Sequence, residues 1–239
     1  MSPERPAPAA FPASPELARW LEEELPRASG EPLGRGYQAE VRLYQGPFGR
    51  VVVKEARRWP LLGFVTMWSL RREHAVYERL DGVPGVPRCL GVIRGRCLVL
   101  EHIDGVSLRR RELEGPLDDA FFARLLETLE AMHRAGIAHG DLKRKDNVLV
   151  GPGGQPYVID FGIAAFADRS RLERLLFAAW RQMDLNAWLK LKYRRRLDLA
   201  SPEDAARYRP LLIERVARAI RVPWQALTLR KLRNRNRVR

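Results

Sequence analysis

The order of apolar patterns along the chain is the feature that most constrains its fold. The N-terminal half alternates apolar and polar residues in strand-length runs, among them EVRLY and RVVVKEA, and one helical pattern at residues 70–80 interrupts them. Two more strand-like runs, RCLGVI and RCLVLEHI, join at Arg94-Gly95. After Gly105 the character becomes mainly helical. At 239 residues this order predicts an α+β fold around one sizeable core.

Capping and turn residues divide the second half further. Ser107 is placed to cap a short helix, and an apolar stripe over residues 117–134 predicts a longer helix that ends near Gly136. Residues 139–162 predict a loop, a strand, a GPGG turn, a strand and another loop. From about Arg169 to the end the chain is predicted to be helical and basic. A short amphipathic helix is also predicted ahead of the first strand, starting at Ser14-Pro15.

Charge and composition limit the partners and the compartment. The formal net charge of +14 predicts polyanionic partners: a nucleotide, a nucleic acid, or an anionic membrane or glycan surface. No nucleic-acid motif accompanies the charge, which disfavours nucleic acid. The longest apolar stretch, residues 60–70, falls short of the roughly 20 residues that span a bilayer. Cys89 and Cys97 lie on adjacent predicted strands without facing each other, which predicts free thiols and a reducing cytoplasm.

Polar residues flank the two short strands predicted within residues 139–162. HGDLKRKDNVLV contains Asp141, Lys143 and Asn147, and YVIDFG contains Asp160. Together the two segments resemble the catalytic loop and the DFG motif of protein kinases. The resemblance implies that Asp141 orients the acceptor hydroxyl and accepts its proton, while Asn147 and Asp160 hold Mg²⁺ against the phosphates of ATP. Lys143 matches the lysine that approaches the transferred phosphate.

The N-terminal half extends this resemblance to nucleotide binding. GRGYQAEV resembles the glycine-rich loop that approaches phosphate oxygens, with an alanine in the place of the third glycine. Lys54 ends the run VVVK, and Glu73 follows it in the predicted helix, like the pair that positions the α- and β-phosphates. Residues 98–105 resemble the strand and hinge between the lobes, with Leu100 as gatekeeper and residues 101–103 as the hinge. The implied nucleotide-binding residues are Gly34, Gly36, Ala39, Val41, Lys54, Glu73, Glu101 and Ile103.

The resemblance implies a bilobal protein-kinase-like fold, with an antiparallel sheet in the N-lobe and a reduced, mainly helical C-lobe. The predicted divisions are a disordered Pro-rich leader (1–14), the N-lobe (15–105), the C-lobe (106–225) and a basic tail (226–239). The tail is interpreted either as a polyanion-binding segment or as a solvated one. Residues 57–72 are interpreted as a long link that either docks on a membrane or interface or packs as a lid on the N-lobe.

Three departures from the common kinase pattern limit the group of kinases that the chain resembles. Gly140 replaces the arginine of HRD, so control by activation-loop phosphorylation is not expected. About seven residues separate Gly162 from the next predicted helix, and none resembles APE, so general recognition of Ser/Thr peptides is not expected. Asn147 lies six residues after Asp141 rather than five, which leaves Asp146 as an alternative metal ligand.

With these departures, the sequence resembles the small atypical kinases: the bacterial lipopolysaccharide-core kinases that act on Kdo or heptose, the RIO kinases, and the small kinase of the KEOPS complex. The resemblance implies an ATP-dependent phosphotransferase whose acceptor is either a protein Ser/Thr or a lipopolysaccharide-core sugar, acting in the cytoplasm or at the inner face of the membrane. The competing hypothesis is a non-catalytic pseudokinase or polyanion-binding module. Asp184 is interpreted either as a brace for the catalytic loop or as a surface residue.

Overall fold

The computed structural model describes residues 19–25, 28–35, 39–46, 49–56 and 63–210. Its first part is a five-stranded antiparallel sheet with the strand order β1-β2-β3-β5-β4. The strands are β1 (Glu31–Arg35), β2 (Ala39–Gly46), β3 (Gly49–Ala56), β4 (Cys89–Ile93) and β5 (Cys97–Glu101). One helix, α1 (Gly63–Arg79), lies between β3 and β4 in the chain. The predicted antiparallel sheet with a single inserted helix is confirmed.

The central strand β3 has apolar side chains on both of its faces, and other parts of the protein pack against each face. Val51 and Val53 are buried in a small cluster with Trp20, whereas Val52 packs on the main core. Side chains alternate along a strand, so Lys54 shares the face of Val52. The run VVVK therefore aims its lysine toward the side of the sheet on which α1 and the second part of the chain pack.

Helix α1 begins seven residues before the predicted Leu70. Its inward face follows residues 66, 70, 73 and 77, all buried, and the buried Leu80 comes directly after the helix. The first of these is Thr66, a polar residue that an apolar pattern does not register. The interpretation of residues 57–72 as a long link is thus wrong from Gly63 onward, while residues 57–62 lie outside the described residues.

The helices of the second part of the chain begin at capping side chains. They are α2 (Leu108–Arg111), α3 (Asp119–Arg134), α4 (Arg171–Lys192) and α5 (Pro202–Ala206). The Ser107 hydroxyl accepts from the Arg110 amide at 3.3 Å, as predicted, and Asp118 and Ser170 cap α3 and α4 in the same way. The buried stripe of α3 is the predicted one, namely Phe121, Leu125, Leu129 and Met132.

The prediction that the chain is helical from about Arg169 onward is wrong after Lys192 within the described residues. Helix α4 ends at Lys192, and Arg194 and Arg195 follow with φ of 47° and 67°, a left-handed conformation that cannot continue a helix. The predicted helix from Ser14-Pro15 is described only from Arg19, where Trp20–Glu24 form a π-helical turn. The predicted leader (1–14) and basic tail (226–239) lie outside the described residues.

Two small sheets fix the loops of the second part. Strands β6 (Val106–Ser107), β8 (Val148–Val150) and β9 (Pro156–Val158) form one sheet, and β7 (Ile137–Ala138) pairs with β10 (Ala165–Phe166). The β8–β9 hairpin is the predicted strand-turn-strand unit. The Ile159 amide donates to the Asn147 carbonyl at 3.0 Å, so the loop before β8 and the residues after β9 meet at one end of the hairpin.

One main hydrophobic core joins the two parts, from Leu98 of β5 and Tyr77 of α1 to Trp188 of α4. Cys89 and Cys97 are free thiols. Cys89 pairs with Leu100 and Cys97 with Ile93 across β4 and β5, so the two cysteines do not face each other. Within the described ranges, no helix has the length and apolar character to cross a membrane.

Candidate active site

A buried lysine joins the two parts of the chain. Lys54 Nζ of β3 donates to Glu73 Oε1 of α1 at 2.6 Å and to Asp160 Oδ1 at 3.1 Å. The side chains of Lys54 and Glu73 are 13% and 9% exposed, whereas that of Asp160 is 48% exposed. Lys54 and Glu73 are thus buried, whereas the Asp160 carboxylate is exposed to solvent.

The charges of this cluster hold one another ionised. Burial by itself would lower the pKa of Lys54, but the Glu73 carboxylate, with Tyr77 and Asp160, outweighs it and raises the pKa. The nearby Lys54 charge in turn lowers the pKa of Asp160 against its burial. A fixed cation therefore lies beside a fixed carboxylate, which suits the binding of phosphate and metal together.

Asp160 has an unusual backbone conformation, with φ of 69°. Such a conformation costs a residue other than glycine about 1–3 kcal/mol, so the surroundings must impose it. The next residue supplies the reason: Phe161 is fully buried and its ring lies 5.1 Å from that of Tyr77 and 5.0 Å from that of His139. Burial of Phe161 turns the Asp160 carboxylate toward Lys54.

Tyr77 belongs to this cluster, and the sequence analysis did not include it. It is 1% exposed, and burial raises the pKa of its hydroxyl, which keeps it protonated beside Lys54 and Glu73. Its position four residues after Glu73, on the same face of a helix, was the signal that could have identified it.

The catalytic-loop backbone is held by a carboxylate from α4. Asp184 Oδ2 accepts from the His139 amide and Oδ1 from the Gly140 amide, each at 2.8 Å, and His133 Nε2 lies 3.1 Å from Oδ2. Asp184 is fully buried. Of the two interpretations made from the sequence, the surface residue is wrong and the brace of the catalytic loop is the observed arrangement.

His139 links the two halves of the site through its ring. The Asp141 amide donates to His139 Nδ1 at 3.1 Å, so Nδ1 carries no hydrogen and Nε2 donates to the Ile159 carbonyl at 3.0 Å. The ring thus ties the backbone of Asp141 to the residue that precedes Asp160.

Gly140 fills a position with no room for a side chain. Its φ is +80°, and a Cβ built there would lie 1.8 Å from Cδ1 of Trp180. The Trp180 indole is held by a hydrogen bond from Nε1 to the Ile163 carbonyl at 2.9 Å. The arginine of the HRD motif is therefore excluded here by the ring of a tryptophan on α4.

The Asp141 carboxylate lies between two exposed cations. Lys143 Nζ and Arg144 Nη1 are each 3.7 Å from its oxygens, and their side chains are 72% and 62% exposed, against 17% for Asp141. A group that approaches Asp141 from solvent must pass these two positive charges.

The structure separates the two candidate metal ligands of this loop. Asn147 is 5% exposed and its Nδ2 donates to the Asp141 carbonyl at 3.2 Å, which leaves the amide oxygen as the available ligand atom. Both oxygens of Asp146 are 2.9 Å from Arg109 Nε, and Asp146 is turned to the surface. The geometry favours Asn147 over Asp146.

The donor set fits Mg²⁺ that arrives with a nucleotide. Among the residues that the structure describes, no group of three or more His, Cys, Asp or Glu is arranged to hold a metal alone. Asn147 and Asp160 offer one amide oxygen and one carboxylate, and Mg²⁺ characteristically keeps waters and phosphate oxygens as its other ligands. Their assignment as ligands stays a prediction.

The remaining nucleotide-binding residues are only partly described. Gly36 lies outside the described residues, and Gly34 and Ala39 are described in backbone only, within β1 and β2. Val41 pairs with Lys54 across β2 and β3. A glycine-rich loop over these residues stays a prediction.

At the expected hinge, residues 101–103, the protein itself already uses some of the backbone groups. The Glu101 amide donates to the Arg88 carbonyl and the His102 amide to the Arg50 carbonyl, at 2.9 and 3.3 Å. The Glu101 carboxylate accepts from the Arg88 amide, so that side chain also faces the protein. Of the expected adenine-binding groups, the Glu101 carbonyl and the Ile103 backbone are therefore the better candidates. Leu100 is buried beside them.

Comparison with known proteins places this geometry in context. The family model for the protein kinase domain matches residues 29–180, more than half of the chain. CBL-interacting protein kinase 25 of Oryza sativa subsp. japonica is 31% identical over 159 residues, covering 60% of this chain and 30% of that protein. Serine/threonine-protein kinase PkaA of Streptomyces coelicolor is 32% identical over 169 residues, covering 64% and 31%. The chain spans about a third of the length of these two kinases.

A third relative matches over most of both chains. The 3-deoxy-D-manno-octulosonic acid kinase of Xylella fastidiosa (strain M12) is 27% identical over 216 residues, which cover 81% of this chain and 80% of that protein. This similarity extends past residue 180, where the family model ends, into the reduced helical part.

Proposed function

Because the chain belongs to the protein kinase family, we propose that it transfers the γ-phosphate of ATP to an acceptor hydroxyl. The family match and the kinase-named relatives support an ATP-dependent kinase. The observation that carries the proposal is the bridge of Lys54 between Glu73 and Asp160, adjoining the loop that contains Asp141.

The proposed roles follow from charge and position. Lys54, held by Glu73, binds the α- and β-phosphates, and Asn147 and Asp160 hold Mg²⁺, which neutralises charge on the phosphates. Asp141 orients the acceptor hydroxyl and takes its proton. Lys143, beside Asp141, offers positive charge to the transferred phosphoryl group.

For the acceptor we propose an acidic sugar of the lipopolysaccharide core, of the type named in the Xylella relative. Three observations support it. The match to that relative covers most of both chains. Lys143 and Arg144 flank Asp141 and complement a carboxylate on the acceptor. Only residues 163–170 separate the DFG segment from α4, and part of that length is used by the β7–β10 pair, which leaves little chain for a peptide platform.

A protein Ser/Thr acceptor is the second candidate. The similarity to PkaA and the lysine two residues after Asp141 favour it. Incubation of the purified protein with labelled ATP and either Kdo-containing core oligosaccharide or lysate proteins separates the two acceptors. Labelled oligosaccharide, with no label after Asp141→Ala, is the expected result. Absence of any Mg²⁺-dependent ATP turnover by the wild type would instead favour the pseudokinase hypothesis.

We further propose that the enzyme works in the cytoplasm, at an anionic membrane surface. Exposed apolar side chains on α1, on α4 and just after Gly162 support this, with exposures of 62% for Trp68, 53% for Ile163 and 71% for Leu175. Arg72 links these segments, because its guanidinium lies 5.6 Å from the Trp68 ring and donates to Glu173 Oε1 at 2.6 Å and to the Ala164 carbonyl at 2.8 Å.

Exposed basic residues lie near these apolar side chains in the sequence, and positive charge beside apolar groups suits an anionic lipid surface. They are Arg71, Arg169, Arg171 and Arg174. Flotation with vesicles tests the proposal: binding to vesicles with anionic lipid, and its loss in Trp68→Ser/Leu175→Ser, are expected. Equal recovery with purely zwitterionic vesicles would contradict it.

A further inference from the structure

A cavity of about 330 Å³ lies between α3 and α4, apart from the residues assigned to phosphoryl transfer. Its volume falls within the range of small-ligand sites, which begins near 300 Å³. The cavity is lined by Glu130, His133, Arg134, Phe177, Arg181, Leu185 and Arg207.

The charge of the lining favours an anion. Glu130 is neutralised by Arg207, whose Nη1 lies 2.8 Å from Oε1. The side chains of Arg134 and Arg181 make no ion pair or hydrogen bond with any residue in the described part of the chain. Two guanidinium groups from neighbouring helices are thus free to bind one ligand, and the planar guanidinium fork matches phosphate oxygens.

The rest of the lining is apolar and suits the body of an organic molecule. Phe177 and Leu185 project from α4, and the Phe177 ring stands edge-on to the His133 imidazole at 6.4 Å. A single inorganic phosphate would leave these walls uncovered.

The cavity also adjoins the brace of the catalytic loop. His133, which lines the cavity, lies 3.1 Å from Asp184 Oδ2, and the same oxygen accepts from the His139 amide. Two side chains, those of His133 and Asp184, therefore separate a ligand in the cavity from the backbone of the loop that contains Asp141.

We propose that this cavity binds a small phosphorylated metabolite, with its phosphate on Arg134 and Arg181 and its organic part against Phe177 and Leu185. Binding at this site is independent of the proposed phosphoryl transfer. Only an influence of the ligand on turnover, through His133 and Asp184, rests on that function.

Calorimetric titration of the full chain at constant ionic strength tests the proposal. The probes are glucose 6-phosphate, inorganic phosphate and glucose, each titrated with and without saturating Mg²⁺ and a non-hydrolysable ATP analogue. The expected result is saturable binding of both phosphates, tighter for the sugar phosphate, and none of glucose. Binding that persists when the analogue is present lies outside the nucleotide site, as the proposal requires, whereas binding that the analogue abolishes belongs to the nucleotide site and overturns the proposal.

Charge-matched variants localise the binding. Arg134→Gln/Arg181→Gln is expected to weaken binding of either phosphate by about tenfold or more. Arg94→Gln/Arg110→Gln, which removes two exposed arginines outside the cavity lining, leaves it unchanged. Phe177→Ala weakens the sugar phosphate and not inorganic phosphate. Equal affinities in the wild type and the double variant overturn the proposal. If the ATP analogue itself does not bind, the proposed function fails while the titration of the cavity still stands.

Discussion

The buried carboxylate of Asp184 accepts a hydrogen bond from the amide of His139 at 2.8 Å, across 45 residues of chain. The bond joins the middle of helix α4 to the first residue of the catalytic loop. With the Gly140 amide and His133 on the same carboxylate, Asp184 has a partner for each of its oxygens, as a fully buried charge requires.

Asp184→Asn tests this brace. An amide has the same shape but presents hydrogens to one of the two backbone donors, so we expect a loss of about 2–3 kcal/mol in the free energy of unfolding. The loop should also misplace Asp141, which lowers kcat more than it changes KM for ATP. Urea unfolding and steady-state assays measure both. Asp198→Asn, which breaks only an exposed pair with Arg196, is the control and should change neither.

Asp184 also shows where reasoning from the sequence stops. An isolated aspartate within a helical pattern has no local property that distinguishes a solvated surface residue from a buried brace. The distinction depends on which residues of α3 and the catalytic loop pack on that turn of α4. By contrast, Lys54, Glu73 and Asp160 could be expected together, because each occupies its own motif and the order of the motifs implies one fold.

The glycine at position 140 is a second example. The motif shows that a glycine replaces the usual arginine and that control by activation-loop phosphorylation is not expected. The reason that no side chain fits there is Trp180, forty residues later in the chain. The early start of α1 could not be predicted for a different reason. Position 66 lies on the buried face of the helix but holds a polar residue, Thr66, so the apolar pattern does not include it. Both are effects of tertiary packing that no local pattern encodes.

Gly140→Ala is expected to destabilise the protein by more than the usual cost of about 1–2 kcal/mol for a left-handed alanine, since the new methyl group would overlap the Trp180 ring. Gly153→Ala is the matched control, with φ of +63° and open space around its Cβ. The difference between their unfolding free energies isolates the clash. Equal losses in the two variants would show that Trp180 moves aside freely. Trp180→Ala in the Gly140→Ala background should recover part of the loss.

Replacing Lys54 should affect stability and activity in separable ways. Lys54→Met leaves Glu73 buried without its cation, which is expected to cost about 3 kcal/mol of unfolding free energy. The double variant Lys54→Met/Glu73→Leu removes both charges and should regain most of that loss. Phosphate transfer should be absent from both variants, because neither can hold the nucleotide phosphates. Thermal unfolding and an ATP-turnover assay, run on the same preparations, make the comparison. Activity in the refolded double variant would remove Lys54 from the proposed mechanism.

Glu173 couples stability to pH. Its carboxylate binds Arg72 at 2.6 and 3.1 Å and the Phe166 amide at 2.9 Å, and the Arg72 hydrogen bond is the main reason that its pKa is lowered. A lowered pKa in the folded state gives stability that is complete above the unfolded value of about 4.3 and is lost as pH falls through the folded value.

Glu173→Gln should therefore cost about 2 kcal/mol near pH 7, and the difference from the wild type should shrink as pH falls below about 4. Urea unfolding at several pH values measures the difference. Glu114→Gln, at an exposed pair with Arg111, serves as control and should follow the wild type at every pH. A difference between the wild type and Glu173→Gln that stays constant down to the acid limit would mean that the ion pair contributes nothing to the linkage.

The two candidate metal ligands of the catalytic loop make opposite predictions when each is replaced by alanine. Asn147 is buried against the Asp141 carbonyl, whereas the Asp146 carboxylate is bound by Arg109 at the surface. Asn147→Ala should therefore raise the Mg²⁺ concentration required for half-maximal turnover about tenfold or more, in line with loss of one oxygen ligand. Asp146→Ala should leave that concentration unchanged and cost at most about 1 kcal/mol of stability, as expected for an exposed ion pair. Titration of turnover with Mg²⁺ at fixed ATP compares them directly. The reverse outcome would move the ligand to Asp146 and require the Arg109 pair to open when the nucleotide binds.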